Sequence, residues 1–495
     1  MTGKKIITTL LISVLIFVTI SGCGSKEDQF DDYALFKDEV KTVATENGEQ
    51  AQASDSHTYE ANEQNIITNK TASFTEAPKS TDELFRDADT NSFTPFQDEN
   101  KSYCLINEGY GTPVYDRGEG SYFPYGAVTS FQSNYKMKKD EIPQVEPMDI
   151  VYSQLHKIEK DGEKQDGINV SSDPEEYGGY NENVFGAFSQ GCLNGFCLRE
   201  LTVYANEEAF SENPTEGPTI QDLKDLVKQR GGIQVEVPSA VDKATVNNGY
   251  MTLYDDDVQS RDLVDEAVIV GWDDDFPAQF FTIQPQNKGA WLMQSSNSSE
   301  WGNGGFFWVS YELPLAYVLT YEITDAYSDV MTYCTMPAFD FKTGDETAVA
   351  SVYNHPGRLS AVGIGTDEPG VTVTVEVHDG KFGEEIVSKQ KTIEMPGYHL
   401  VELDTPVDVT EFTVVVRSTS QVYVEGSSTP FYMLKVSAVK GVPSGGMVEY
   451  VITPVSERSF AEIDGNWVDM TDESTKQYTR RKVVANDPCI TLMFE

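Results

Sequence analysis

The residues of this 495-residue chain best suited to attack or ligation are its six cysteines and five histidines. A cysteine attacks a carbonyl as its thiolate, which at neutral pH needs an imidazolium or a helix N-terminus beside it. Between His156 and His355 the sequence holds no histidine, so its central part supplies no imidazole base. Cys104 stands with no such partner nearby and reads as a small buried side chain. Cys192 and Cys197 are close enough to pair, or are two reduced thiols. As C-x4-C with no second pair and no adjacent histidine they are a weak zinc signal, and no metal is expected. Six cysteines in so long a chain are too few for a disulfide scaffold.

The elements that would position chemistry are legible in outline. Ala127, Val128, Phe131 and Tyr135 recur at helical spacing, which predicts a buried helix starting at or just after Tyr122, with Pro124 in its first turn. Pro147 to His156 reads as a second helix and Tyr177–Asn183 as a loop. Thr219–Arg230 reads as an amphipathic helix stopped by Gly231 and Gly232. From Asp265 to Tyr311 short apolar runs alternate with Gly and Asp turns, the pattern of consecutive antiparallel strands. Glu312 to Cys334 reads as a connector. From 335 to 495 short alternating runs such as VTVTVEVH, EFTVVVR and YMLKVSAV predict a sandwich of strands.

Two stretches of the first half resemble papain-like cysteine peptidases. TPVYDRGEGSYFPYGAVTSFQSNYKM, Thr112 to Met137, is similar to the family's T-P-V-K-D-Q-G-x-C-G-S-C-W-A-F-A once a one-residue gap is set between Gly118 and Gly120. DEAVIVGWDDDF and GAWLMQSSNSSEWGNGGFFWVSYE resemble the strands that carry the family's base and its K-N-S-W-G-x-x-W-G run. PGYHLVELDTPVDV and DGNWVDM…CITLMF resemble the lectin-like β-sandwich often appended to bacterial members. The resemblance implies an α+β fold class: a papain-like domain at 100–325 followed by an all-β sandwich at 335–495.

The same resemblance places the oxyanion-hole position on Arg117, the nucleophile on Tyr122, the Trp after it on Phe123, the base on Glu266 and the orienting amide on Ser295. Four substitutions at once remove the chemistry. A phenol with a pKa of about 10 holds almost no phenolate at neutral pH. A carboxylate with a pKa of about 4.3 is a poor base toward Ser121 or Tyr122. The expectation is a non-catalytic homologue without cofactor, in which Tyr122, Phe123, Glu266 and Trp301 line a peptide-binding cleft, although a Trp at the position of Trp301 is more often plain core. Arg117 and Glu266 are expected to pair across that cleft. The alternatives are an active cysteine peptidase with relocated residues and a carbohydrate-binding protein that works through its sandwich.

Residues 1–23 carry Lys4 and Lys5, an apolar run to Ile20 and then I-S-G-C, which resembles a lipobox; lipidated Cys23 would hold the protein on a membrane, facing the extracellular or periplasmic side. Residues 24–99 are acidic and polar, with scattered aromatics, and read as a disordered tether. A net charge of −44 argues against nucleic acid as a partner; the ligand that the resemblance implies is an extended peptide or a glycan.

Overall fold

The computed structural model describes residues 72–118, 123–157, 166–170, 181–189, 191–205, 217–238, 243–256, 264–334, 339–426, 429–435, 444–479 and 482–495. The central helix of the first half, Phe123–Lys139, begins where expected and takes Pro124 in its first turn. It is covered on all sides. Tyr125, Ala127, Val128, Phe131 and Tyr135 are buried, and so are Ser130, Gln132, Ser133 and Asn134 between them. The buried polar groups are used as joints: Ser130 Oγ donates to the Gly232 carbonyl at 2.6 Å, Asn134 to the Arg230 carbonyl at 2.9 Å, and Gln132 to the Tyr115 hydroxyl at 2.9 Å.

Two shorter helices, Pro147–Gln154 and Asn181–Ser189, flank it. The latter begins inside the stretch expected to be loop. The helix Ile220–Arg230 is capped by Thr219, whose hydroxyl accepts from the Asp222 amide while Asp222 accepts in return from the Thr219 amide. Gly231 ends it at φ 84°, and an added Cβ there would lie 2.7 Å from Ser133 Oγ, so only glycine fits.

These helices lie on a sheet centred on the strand Val264–Asp273. Its neighbours are Ile233–Pro238 (Ala267 opposite Val235), Ala290–Ser295 (Trp272 opposite Trp291) and Ser102–Cys104 (Trp272 opposite Tyr103), all antiparallel. Phe306–Ser310 extends the sheet beyond Ala290–Ser295. Trp291, Trp308, Tyr250 and Phe276 are fully buried in the core that forms on it.

Part of the expected tether belongs to this core. Ser73–Thr75 pairs antiparallel with Val114–Asp116, and a short helix, Thr81–Leu84, follows. Phe85 then packs 5.3 Å from Tyr250, Phe93 lies edge-on to Phe276 at 5.6 Å, and Phe96 stacks on Trp308 at 5.5 Å. Aromatics without any period still bury when each fills a separate gap, so the reading of 24–99 as disordered is corrected for 72–99. The remainder of that segment, residues 1–23, and Cys23 lie outside the described residues.

The second half is a β-sandwich. Thr347–Thr366 runs antiparallel to Gly397–Ser418, which also pairs with Val371–Asp379, and Glu385–Ile393 follows at the edge. Val371, Val373, Val375 and Val377 alternate inward and are buried. The C-terminal strand Ile490–Phe494 pairs with Thr347–Thr366 and with Asp329–Thr332. A facing layer is made by Phe339–Phe341, Val422–Gly426 and Ala485–Pro488. Two disulfides are present among the described residues, Cys192–Cys197 and Cys334–Cys489, the second closing a separation of 155 residues.

Three readings change here. Ala316–Thr324, expected as connector, is a sheet strand between Cys197–Ala205 and Ile233–Pro238. Asp329–Thr332 joins the sandwich ahead of the expected start at 335. Thr429–Lys435, within a stretch read as sandwich, pairs with Ser444–Val451, which in turn pairs with Gly167–Val170 of the first half. A second joint sets Gly397–His399 against Glu200–Thr202. Edge pairing of this kind depends on chain geometry more than on local composition, so periodicity alone gives no sign of it. The fold is α+β with a preponderance of sheet.

Candidate functional site

Arg117 follows the strand Val114–Asp116, at a point where Asp116 bridges to Asn297. Its amide donates to the Ser296 carbonyl at 3.0 Å and its Nε to Asn297 Oδ1 at 3.0 Å. Its Nη2 reaches Asp265 Oδ2 at 3.2 Å. The expected ion pair therefore forms with Asp265, not with Glu266. Successive side chains of a strand point to opposite faces, and Arg117 arrives on the face that Asp265 shares with Ala267 and Ser295. Asp265 is buried, which pushes its carboxyl upward; Arg117 and the Glu266 amide act against that.

Glu266 faces the other way, toward the helix. It is 4% exposed, and its Oε2 accepts from Gln234 Nε2 at 2.7 Å. Across the strand pair it stands opposite Glu236. Burial raises its carboxyl well above the ordinary range, Glu236 and Asp265 add to the rise, and the Arg117 field and the Gln234 hydrogen bond oppose it. What argues against a general base here is access: the carboxyl is buried, held by Gln234 and packed on the helix.

The fit between Glu266 and the helix is close. A Cβ added at Gly126, in the first turn, would lie 2.9 Å from Glu266 Oε2 and 3.0 Å from Gln234 Cγ. Gly126→Val should therefore cost about 1–3 kcal/mol by overpacking, read as a lower denaturant midpoint at unchanged slope. Gly126→Val combined with Glu266→Ala should recover part of that loss, and an unaltered loss would contradict this contact.

Ser295 is buried on Ala290–Ser295, opposite Ala267, and its hydroxyl accepts from the Asn297 amide at 3.2 Å. Trp301 is half-buried and lies edge-on to Phe307 at 5.2 Å, which favours core over cleft wall. Phe123 opens the helix, while its side chain, together with all of Ser121 and Tyr122, lies outside the described residues. Of the predicted positions, Arg117, Glu266 and Ser295 are thus brought to one region of the sheet. Asp265, Asn297 and Gln234 were missed, although the Asp265-Glu266 pair directly before the apolar run AVIVGW was a visible signal.

The cysteines complete the chemical account. Cys104 is the free cysteine among the described residues; it is 3% exposed, and burial pushes its thiol up to about 12. It sits in the strand pair with Gly271, where backbone approaches so closely that an added Cβ on Gly271 would lie 2.5 Å from the Tyr103 carbonyl oxygen. This is the environment of an inert thiol. Cys192 and Cys197, left open between bridge and free thiols, are bridged.

No protein-family model and no curated protein matches the sequence. Among solved structures, the chain is similar to the Clostridial cysteine protease Cwp84 after propeptide cleavage, with a TM-score of 0.59, 15% identity, and 80% of this chain and 100% of that one covered. It is similar also to the cysteine protease and lectin-like domains of Cwp84, a surface layer associated protein of Clostridium difficile, with a TM-score of 0.57, 15% identity, and 86% and 99% covered. At that identity the likeness is one of fold: this chain has a papain-like cysteine peptidase fold joined to a lectin-like domain.

Proposed function

We propose that this protein is a non-catalytic homologue of papain-like peptidases, held at the cell envelope through Cys23, that binds an extended peptide. The observation that carries the reading is the state of its thiols: among the described residues, each cysteine is bridged except Cys104, which is buried with its thiol in the protonated form. The base position adds to it, since it carries no imidazole and Glu266 is buried there, packed against the helix. Envelope location is supported by the lipobox-like I-S-G-C run and by the surface-layer association of Cwp84.

The test is a thiol-directed peptidase probe applied to the full chain, with a random-peptide library displayed against the same material. The native protein is expected to take no probe until denatured, when Cys104 reacts, and selected peptides are expected to crosslink to the Glu266 strand or the helix beside it. Native labelling of a cysteine that a peptide inhibitor blocks would establish a peptidase instead.

A second reading has one observation in its favour. The sandwich carries a concavity of about 280 Å³ lined by Glu346, Arg417, Glu462, Asp464 and Tyr478 among others. Planar charged groups beside an aromatic ring suit sugar hydroxyls. Glycan binding lost on Arg417→Ala, with peptide binding retained, would support that second site.

A further inference from the structure

The outer face of the sandwich brings one imidazole and two carboxylates together. Val371–Asp379 alternates, so Glu376 and His378 leave it on the same side, opposite the buried valines. The neighbouring strand Glu385–Ile393 pairs regularly up to Val377 opposite Val387. There the register shifts, and His378 is set against Glu385 in place of Ile386. A bulge that re-aims one side chain is thus what brings the third residue into place. One ligating atom from each of Glu376, His378 and Glu385 lies within 4.8 Å of the others.

The atoms of this group are held from outside it. His378 Nδ1 meets the Gly383 carbonyl at 3.1 Å, which makes Nδ1 the donor and turns the Nε2 lone pair toward the carboxylates. Arg417 Nε donates to Glu376 Oε1 at 3.0 Å, leaving Oε2 for the inner side. A carbonyl behind the imidazole and a donor behind the carboxylate are the two outer contacts that orient metal ligands. His378 Nε2 and Glu376 Oε2 are 3.4 Å apart. Two ligands of a tetrahedral ion with bonds of about 2.0–2.1 Å are separated by about 3.3–3.4 Å, so this edge of the polyhedron is already set. Glu385 is exposed and His378 half-buried, which leaves the remaining positions open to water.

We propose that Glu376, His378 and Glu385 form a binding site for a divalent transition cation of the Zn²⁺ class. The imidazole selects against Ca²⁺ and Mg²⁺, which take oxygen donors. Glu376→Gln would also disturb Arg417, so the informative changes are His378→Ala and Glu385→Gln.

The experiment is a Zn²⁺ titration of the full chain by calorimetry, with Co²⁺ absorption as a second readout. The expected result is a site that Ca²⁺ in tenfold excess does not empty, weakened about tenfold or more by either substitution. The metal-free melting temperature should stay unchanged, and His355→Ala should leave the affinity intact. No binding at millimolar Zn²⁺, equal affinity in His378→Ala, or displacement by Ca²⁺ would each overturn the proposal. An affinity lost only together with the metal-free melting temperature would overturn it too, by marking a structural effect.

Discussion

Removing the Cys334–Cys489 bridge is expected to destabilise the protein more than any single surface change. Constraining a loop of 155 residues lowers the entropy of the unfolded chain by an amount worth about 5 kcal/mol, against about 2 kcal/mol for the separation of five at Cys192–Cys197. The double substitution Cys334→Ala with Cys489→Ala should therefore lower the unfolding free energy by more than twice the effect of Cys192→Ala with Cys197→Ala. Both half-cystines of the longer bridge are buried, so alanine adds a small packing loss in the same direction. Denaturant unfolding of the two double variants measures the contrast, and equal midpoints would refute it.

The second large effect is pH-dependent. The Glu266 carboxyl is raised in the folded state, so the folded protein holds that proton over a range where the unfolded chain, with a pKa of about 4.3, has released it. Its contribution is unfavourable above the unfolded value and worsens as pH rises toward the folded one. Glu266→Gln keeps an acceptor for Gln234 and removes the ionisation. It should stabilise by about 1–3 kcal/mol at pH 8 and by little at pH 4, seen as a difference in melting temperature that grows with pH. Asp367, raised to about 7 by burial and by Asp340 and Glu368, titrates in the same direction. The variant should therefore flatten the pH profile without making it level. A constant offset between the two proteins across pH would show that Glu266 acts through shape alone.

The sequence made plain the elements that carry their own signal. The helix after Tyr122 announced itself through Ala127, Val128, Phe131 and Tyr135, and Ile220–Arg230 through Thr219, Asp222 and the two glycines behind it. The strands around Trp272 and Trp291 were legible because apolar runs are broken there by turn residues. What stayed hidden depends on distant partners. Phe85, Phe93 and Phe96 look like strays in a polar segment until Tyr250, Phe276 and Trp308 are seen to receive them. The pairing of Arg117 with Asp265 instead of Glu266 turns on which face of one strand the incoming chain meets. The register shift that brings Glu385 to His378 has no local marker.

The strand Cys197–Ala205 is hydrogen-bonded on one side to Ala316–Thr324 and on the other to the start of Gly397–Ser418. Arg199 reaches Glu402 at 2.8 Å across the same seam. A gene fragment ending near residue 325 would strip that strand of a partner and present its bare amides to any other chain in solution. Cutting the gene at that point would therefore expose an edge that the intact protein keeps paired.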